Sequence, residues 1–215
     1  MNQDYMPELY DDADWDIVEQ HICKYFGDSP NVFHEIMSPD IHVDIYIIPP
    51  NDEKDYYTLV TMGMGAHKMN VPEELSEYKL ERAELIITLP ADWKITEEAM
   101  KDEKWYWPIR LLKSAARLPG ECDTWLGWGH TVDNCENYAD NTKLCGSLLL
   151  SSMVGKEGSE ICQLSNGEVV NFYQLIPLYR EEMDFKCQND AESLLDIMSD
   201  VSFVVDIHRD NVKSK

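Results

Sequence analysis

A short run that is apolar on both faces constrains the fold more than any other feature of this sequence. Ala83–Leu89 contains Leu85, Ile86 and Ile87 in succession, and Pro90 follows it directly. Alternate side chains of a strand point to opposite faces, so this run presents apolar groups on both of them. Strands with this pattern are typically buried on both sides. The sequence therefore predicts a strand over Ala83–Leu89 that lies centrally in a sheet.

Amphipathic patterns predict the elements around this strand. A helix that begins near Asp14 places Val18, Ile22 and Phe26 on one face, and Gly27 ends it. Runs of apolar residues bounded by turn residues predict the further strands. These strands are expected over His42–Pro49, Tyr56–Met62, Trp125–His130, Leu144–Leu150 and Val169–Tyr179.

Three more helices are predicted from cap and breaker residues. Thr96 is expected to cap a short polar helix. A longer helix carries Pro108 in its first turn, where proline is well tolerated, and is expected to end at Pro119. Asn189 is expected to cap the last helix, with Glu192 three positions later completing a capping box.

With the short polar helix left aside, the order of these elements is helix, hairpin, strand, helix, three strands, helix. Because strands do not alternate regularly with helices, this order favours an α+β fold over a doubly wound one. We expect a mixed, largely antiparallel sheet flanked by helices. The chain has 215 residues and shows no internal repeat or linker, so residues 1–215 are interpreted as one domain with its core at about 15–212.

The charge excludes two classes of partner. Asp and Glu total 41 and Lys and Arg total 18, which gives a formal net charge of −23. A phosphate backbone and an anionic membrane both need a cationic face, so no nucleic-acid or membrane partner is expected. Two readings of the acidity stay open, a surface that keeps the protein soluble and a surface that attracts a basic protein partner.

Cysteine usage and the amino terminus favour the cytoplasm. The six cysteines include no CxxC pair, and the opening MNQDYMPELYDD lacks the cationic and apolar regions of a signal peptide. Reduced thiols are therefore expected. A zinc site would need a fourth ligand beside Cys122, His130 and Cys135, so no metal or cofactor is expected.

Two polar motifs have both a structural and a chemical interpretation. Gly63-x-Gly65 lacks the third glycine of a dinucleotide fingerprint, and glycines at a strand end beside a close neighbour explain it better. His34 lies in the segment before His42 and Asp44, which share one face of the predicted strand. Such a set resembles a general base with an orienting carboxylate, but a hydrogen-bonded polar face is the simpler reading.

The stretch Asp123–His130 (DTWLGWGH) has the composition of a recognition surface. On a regular strand Trp128 and His130 share a face, whereas Trp125 and His130 face opposite ways. Aromatic anchors dominate many binding interfaces, although a core tryptophan beside a hydrogen-bonded histidine is the simpler interpretation. The residues predicted to bind a partner are Asp44, His67, Asp123, Trp128 and His130.

Five blocks, taken together, resemble the bacterial suppressor-of-fused domain family. They occur in the family's order and cover most of the chain, from about Trp15 to Val212. The blocks are Val32–Pro50 (VFHEIMSPDIHVDIYIIPP), Thr58–Met69 (TLVTMGMGAHKM), Ala83–Trp93 (AELIITLPADW), Trp107–Asn134 (WPIRLLKSAARLPGECDTWLGWGHTVDN) and Val170–Asp184 (VNFYQLIPLYREEMD).

The resemblance implies an α+β domain similar to the amino-terminal half of animal suppressor of fused, with no counterpart of the carboxy-terminal half. The animal protein binds transcription factors of the Hedgehog pathway, and many bacterial relatives are regarded as immunity proteins that neutralise polymorphic toxins. No enzymatic activity is established for the family, so a non-catalytic role is expected. The resemblance therefore implies a protein partner.

Three functional hypotheses follow. The first is a cytoplasmic immunity-type protein that occludes a toxin, and the acidic charge favours a basic toxin. The second is a regulatory adaptor for an endogenous protein. The third is an uncharacterised enzyme built on His34, His42, Asp44, His67 or His130, which requires these side chains to converge in one pocket.

Overall fold

An eight-stranded sheet organises residues 6–214, the part of the chain that the computed structural model describes. The strands lie in the order β1-β2-β3-β4-β8-β6-β5, and β7 pairs with one end of β8. Within this sheet β4 and β8 run parallel and the other neighbours run antiparallel. The predicted α+β class and mixed, largely antiparallel sheet are therefore confirmed. The strands are β1 Asn31–Phe33, β2 Asp44–Ile48, β3 Tyr56–Met62, β4 Ala83–Pro90, β5 Thr131–Asp133, β6 Gly146–Ser151, β7 Ile161–Gln163 and β8 Val169–Leu178.

Helices cover both faces of the sheet. The α1 helix begins where the side chain of Asp11 accepts a hydrogen bond of 2.8 Å from the N–H of Asp14. It packs on one face, α3 and α4 pack further along the same face, and α2 covers the opposite one. The helices are α1 Asp12–Tyr25, α2 Glu103–Cys122, α3 Arg180–Gln188 and α4 Ala191–Ile197, and short 3₁₀ turns occupy Met64–Ala66, Glu73–Tyr78 and Ala99–Lys101.

The β4 strand lies centrally, as its sequence predicts. Leu85 and Ile87 face α2, whereas Ile86 faces α1, and all three side chains are fully buried. Each such side chain contributes about 2–3 kcal/mol of burial free energy relative to an exposed position. Strand β4 therefore joins the two apolar layers of the molecule.

The predicted strand over Trp125–His130 is wrong, because this segment is a turn. The N–H of His130 bonds the carbonyl of Gly127 at 3.1 Å, and Gly129 has a φ of +77°. Gly129 and His130 also bond Leu149 of β6, but regular pairing begins only at Thr131. Glycine tolerates the positive φ that this turn requires, so composition favours the turn over the strand.

Two predicted helix boundaries are also wrong. The α2 helix starts at Glu103, capped by Asp102, so Pro108 lies in its second turn, and the helix continues beyond Pro119. A buried apolar stripe compensates for the hydrogen bonds that two prolines remove. The helix ends at Asp123, which adopts a left-handed conformation with a φ of 48°.

At the carboxy-terminal end, Asp190 rather than Asn189 caps the last helix. Its side chain accepts from the N–H of Ser193 at 2.7 Å. Asn189 instead terminates α3, where its side chain donates to the carbonyl of Phe185. Helix α3 and strand β1 were not predicted, since one is strongly polar and the other has three residues.

Candidate partner-binding surface

The loop between β1 and β2 is fixed to helix α2 through a buried carboxylate. Glu35 accepts hydrogen bonds from Arg117 at 2.7 Å, from Lys113 at 3.3 Å and from the N–H of Val43 at 3.2 Å. Burial alone opposes ionisation of Glu35, but hydrogen bonds from Ser38 and Val43 and the two cations lower its pKa below the usual value. Glu35 therefore stays ionised and binds the loop to the helix.

A second carboxylate, Asp44 at the start of β2, holds the other side of the same loop. It accepts from the N–H of Glu35 at 2.9 Å and from Nδ1 of His34 at 2.9 Å, and Nε2 of His42 lies 3.1 Å away. The expectation that His42 and Asp44 share a face is confirmed. Of the five residues in the enzyme hypothesis, these three come together.

This cluster contains a serine, a histidine and an aspartate in sequence, but its proton arrangement does not suit nucleophilic catalysis. Ser38 Oγ lies 2.8 Å from Nδ1 of His42 and donates its proton to Glu35 at 2.8 Å. Since a hydroxyl has one proton and Glu35 accepts it, Ser38 Oγ faces Nδ1 of His42 without a proton to give. The cluster is an anchoring network for the loop.

The tip of the anchored loop carries two large apolar side chains in solvent. Ile36 is 97% exposed and Met37 is 84% exposed. Their neighbours Glu35 and Ser38 are fixed by the network, so the tip projects from a fixed base. Apolar side chains presented in this way are suited to insertion into a partner. Ile36 and Met37 are adjacent large apolar residues within the polar segment HEIMSPD, and this pair is the sequence signal that could have identified the site.

An extended segment near the amino terminus lies beside this loop. Glu8 forms a parallel bridge with Ile41, donating its N–H to Asp40 at 2.8 Å and accepting from His42 at 3.2 Å. Two large apolar residues of this segment are also exposed, Met6 at 78% and Leu9 at 51%. We call the loop 34–41 and the segment 6–9 together the apolar tip surface.

His67 and Asp123 border the carboxy-terminal half of α2, next to the apolar tip surface. Nδ1 of His67 lies 3.0 Å from a carboxylate oxygen of Glu8, and both line a cleft of about 230 Å³ that Arg117 also borders. Asp123 accepts from Asn70 at 3.1 Å. The structure thus places His67 and Asp123 at the carboxy-terminal half of α2, whereas Asp44 is buried, with 3% of its surface exposed.

Trp128 and His130 lie elsewhere, on the turn that faces α4. A Cβ on Gly129 would approach Ala191 at 3.3 Å, which places this turn against the start of that helix. The ring of Trp125 contacts His130 with centroids 4.3 Å apart, so the predicted opposite orientation of these two residues is wrong. Burial lowers the pKa of His130, and Trp128 is 44% exposed. Of the five predicted binding residues, His67 and Asp123 therefore lie near one surface, Trp128 and His130 lie on another, and Asp44 is buried.

The two glycines of Gly63-x-Gly65 bind an internal carboxylate. Their N–H groups donate to Oε1 of Glu84 at 3.0 and 3.1 Å, and Tyr10 and Thr61 complete the shell at 2.8 and 2.5 Å. Burial raises the pKa of Glu84 to about 7. The backbone donors that a phosphate would need are already occupied.

Within residues 6–214 no group of three or more His, Cys, Asp or Glu side chains is arranged to hold a metal ion. No helix there is both long enough and apolar enough to cross a bilayer.

The fold and the site define an α+β domain with a mixed sheet, covered on both faces by helices, that presents an anchored apolar loop. The sequence profile of the suppressor of fused protein family (SUFU) matches residues 39–210. The chain belongs to the suppressor of fused family, whose domains mediate protein–protein interaction.

Individual relatives agree with this assignment. The uncharacterized protein UU111 of Ureaplasma parvum is 28% identical over 197 residues, covering 90% of this chain and 92% of that protein. A suppressor of fused homolog of Neisseria gonorrhoeae has a similar fold, with a TM-score of 0.64 at 16% identity over 95% of this chain and 98% of that one.

Two further solved structures share the fold as well. A chain of the Sufu–Fu complex gives a TM-score of 0.63 at 14% identity, covering 96% of this chain and 93% of that chain. Drosophila suppressor of fused gives 0.59 at 14% identity, and this chain spans 54% of its length. These similarities concern the fold.

Proposed function

We propose that this protein is a non-catalytic, immunity-type protein that binds and occludes a basic toxin in the cytoplasm. The observation that carries the proposal is the pair Ile36 and Met37, two almost fully exposed apolar side chains on a loop anchored by buried ion pairs. An anchored apolar tip gives binding energy without the entropic cost of ordering a loop.

Charge supports a basic partner. The net charge is −23, and eight of the Lys and Arg side chains within residues 6–214 are paired with carboxylates. Examples are Arg82 with Glu168, Arg110 with Glu103 and Arg209 with Glu182. The field outside the protein is therefore strongly negative, which accelerates association with a cationic protein and repels competing anions. We include His67, which contacts Glu8, and Asp123 at the end of α2 in the proposed surface, whereas Asp44 is buried and supports the loop from inside. Trp128 with His130 forms a second, separate candidate.

The test is affinity capture with matched variants. The protein is immobilised and exposed to its native lysate at low salt, and the bound proteins are identified by mass spectrometry. Ile36→Ser/Met37→Ser removes the tip, whereas Met153→Ser/Ile161→Ser alters two residues that are 52% and 51% exposed elsewhere. Both variants should retain stability within about 0.5 kcal/mol, since all four positions are on the surface.

We expect wild type and the control variant to capture the same basic protein, and the tip variant to lose it by roughly ten-fold or more. Expression of that protein alone should arrest growth, and co-expression with wild type should relieve the arrest. Capture of a protein that causes no arrest would replace the immunity role with that of a regulatory adaptor. Equal capture by the tip variant would show that binding uses another surface.

A further inference from the structure

The free edge of β1 lies next to the apolar tip surface. Within residues 6–214 this strand pairs with β2 alone, and Phe33 opposite Ile45 is the last pair of its register. Natural proteins usually protect such an edge with charge or cover it with other elements. The opposite edge follows this rule, because Asp133 on β5 forms two hydrogen bonds of 2.7 Å with Arg180. Asn31, Val32 and Phe33 of β1 carry no charge.

A groove runs along this open edge on the face that α2 covers. Its volume is about 810 Å³, and its lining is mainly apolar. Phe33 and Tyr106 form part of its wall, with ring centroids 6.1 Å apart. We call it the edge groove, and its main apolar side chains are Phe33, Ile95, Met100, Tyr106 and Ile109.

The alternation of β1 shows how a neighbouring strand would use the groove. Phe33 packs with the α2 layer, whereas Val32 packs with the α1 layer on the other face. A strand added at this edge would continue that alternation and direct every second side chain into the groove. Because β1 has only three residues, its backbone supplies few hydrogen bonds, and groove contacts must supply most of the affinity.

Charge decides between a second copy of this chain and a different partner. Two copies would bring net charges of −23 together at one edge, which opposes edge-to-edge dimerisation. At the rim of the groove Lys101 is paired with Glu98 at 2.7 Å, while Glu97 adds a further negative charge. A partner segment whose solvent-facing side chains are cationic complements the negative charge at this rim.

We propose that the partner adds an extended segment to the edge of β1, with apolar side chains in the edge groove alternating with Lys or Arg. This inference rests on the proposed function for the existence of a basic partner. The chain leaves β1 at Phe33 and reaches Ile36 within three residues, so one partner contacts the groove and the apolar tip surface together.

The test uses a phage-displayed library of random peptides about twelve residues long, selected against the wild-type protein. Enriched peptides should alternate apolar and cationic residues. Ile95→Ser/Met100→Ser should weaken their binding by roughly ten-fold or more, while Met153→Ser leaves it unchanged. Hydrogen exchange at 31–33 should slow when a selected peptide is bound.

Peptide N-methylation provides a readout that leaves the protein unaltered. Methylating one alternate set of peptide amides should abolish binding, whereas methylating the other set should be tolerated, since only one set faces β1. Failure to enrich any peptide, or equal effects of the two methylated sets, would overturn the proposal. If Ile95→Ser/Met100→Ser still captures the native partner but Ile36→Ser/Met37→Ser does not, the groove is wrong and the proposed function stands.

Discussion

At the scale of single residues, Glu84 couples stability to pH. Burial raises the pKa of this carboxyl to about 7 in the folded state, above its ordinary value of 4.5. The folded protein therefore holds a proton that the unfolded chain releases, so this contribution is complete below the unfolded pKa and is lost as the pH rises through about 7.

Glu84→Gln should remove this dependence. Between pH 5 and pH 8 the free energy of unfolding of wild type should fall relative to that of the variant by on the order of 2–3 kcal/mol. Urea denaturation at both pH values measures the difference. The exposed Glu157→Gln is the control and should follow wild type. Parallel pH profiles for wild type and Glu84→Gln would contradict an elevated pKa.

Gly63 illustrates a second constraint at the residue scale. Its φ is +121°, and a Cβ there would lie 2.0 Å from the carbonyl oxygen of His42. Gly63→Ala should therefore destabilise the fold by roughly 3 kcal/mol or more, because backbone rather than a flexible side chain must move. Gly167→Ala is a matched control, since its φ is +84° but nothing lies within 4 Å of the added Cβ. Thermal and urea unfolding measure the loss of stability in each variant. Equal losses would mean that the positive φ, rather than the clash with the His42 carbonyl, determines the cost.

At the scale of elements, Arg117 joins α2 to the loop between β1 and β2. Its side chain is 11% exposed and contacts Glu35 and Asp40. Removing it leaves Glu35 buried without its closest cation, so Arg117→Ala should cost on the order of 3 kcal/mol. It should also speed hydrogen exchange at 35–42. Arg180→Ala breaks a pair that is 40% and 43% exposed, and should cost no more than about 1 kcal/mol.

If the two arginine variants lose the same stability and leave exchange at 35–42 unchanged, the loop is not held by this network. The tip would then be mobile in solution, and its exposed side chains would bind with a larger entropic cost. The comparison of the two arginine variants therefore tests whether the loop of the proposed binding surface is anchored, and it requires no partner.

The elements differ in how far sequence alone predicts them. Strands β3 and β4 follow directly from local sequence, because each is a short apolar run that ends at a turn residue, Gly63 or Pro90. The Trp125–His130 turn and the carboxy-terminal end of α2 depend on contacts with other elements, such as Leu149 and the left-handed Asp123. Local propensity depends on residues that are close in sequence, so it does not predict contacts with distant elements.

The same limit applies to the candidate surface. The shared face of His42 and Asp44 is predictable because both residues lie within one strand pattern. Glu35 reaches Arg117 across 82 positions of sequence, so its anchoring role depends on tertiary structure. Ile36 and Met37 are visible in the sequence as apolar residues, but only the fold shows that they are exposed rather than buried.

At the scale of the whole molecule, the net charge of −23 sets how the protein responds to salt. Added salt shortens the Debye length from about 30 Å at 0.01 M to about 10 Å at 0.1 M, which screens repulsion between distant carboxylates. It also weakens the exposed ion pairs, but each of these contributes little. Repulsion is the larger effect, so the melting temperature should rise between low and moderate NaCl.

Calorimetry between low and moderate NaCl measures whether screening of repulsion or weakening of ion pairs has the larger effect on the melting temperature. Sucrose at matched osmolality is the non-ionic control. A melting temperature that falls with salt would mean that ion pairs such as Arg82 with Glu168 outweigh the repulsion. The same field governs association, because folding concentrates negative charge that a cationic partner neutralises, as added salt screens it. A protein that gains stability from added salt should gain it also from a basic partner, which makes the salt response an early physical test of the partner class.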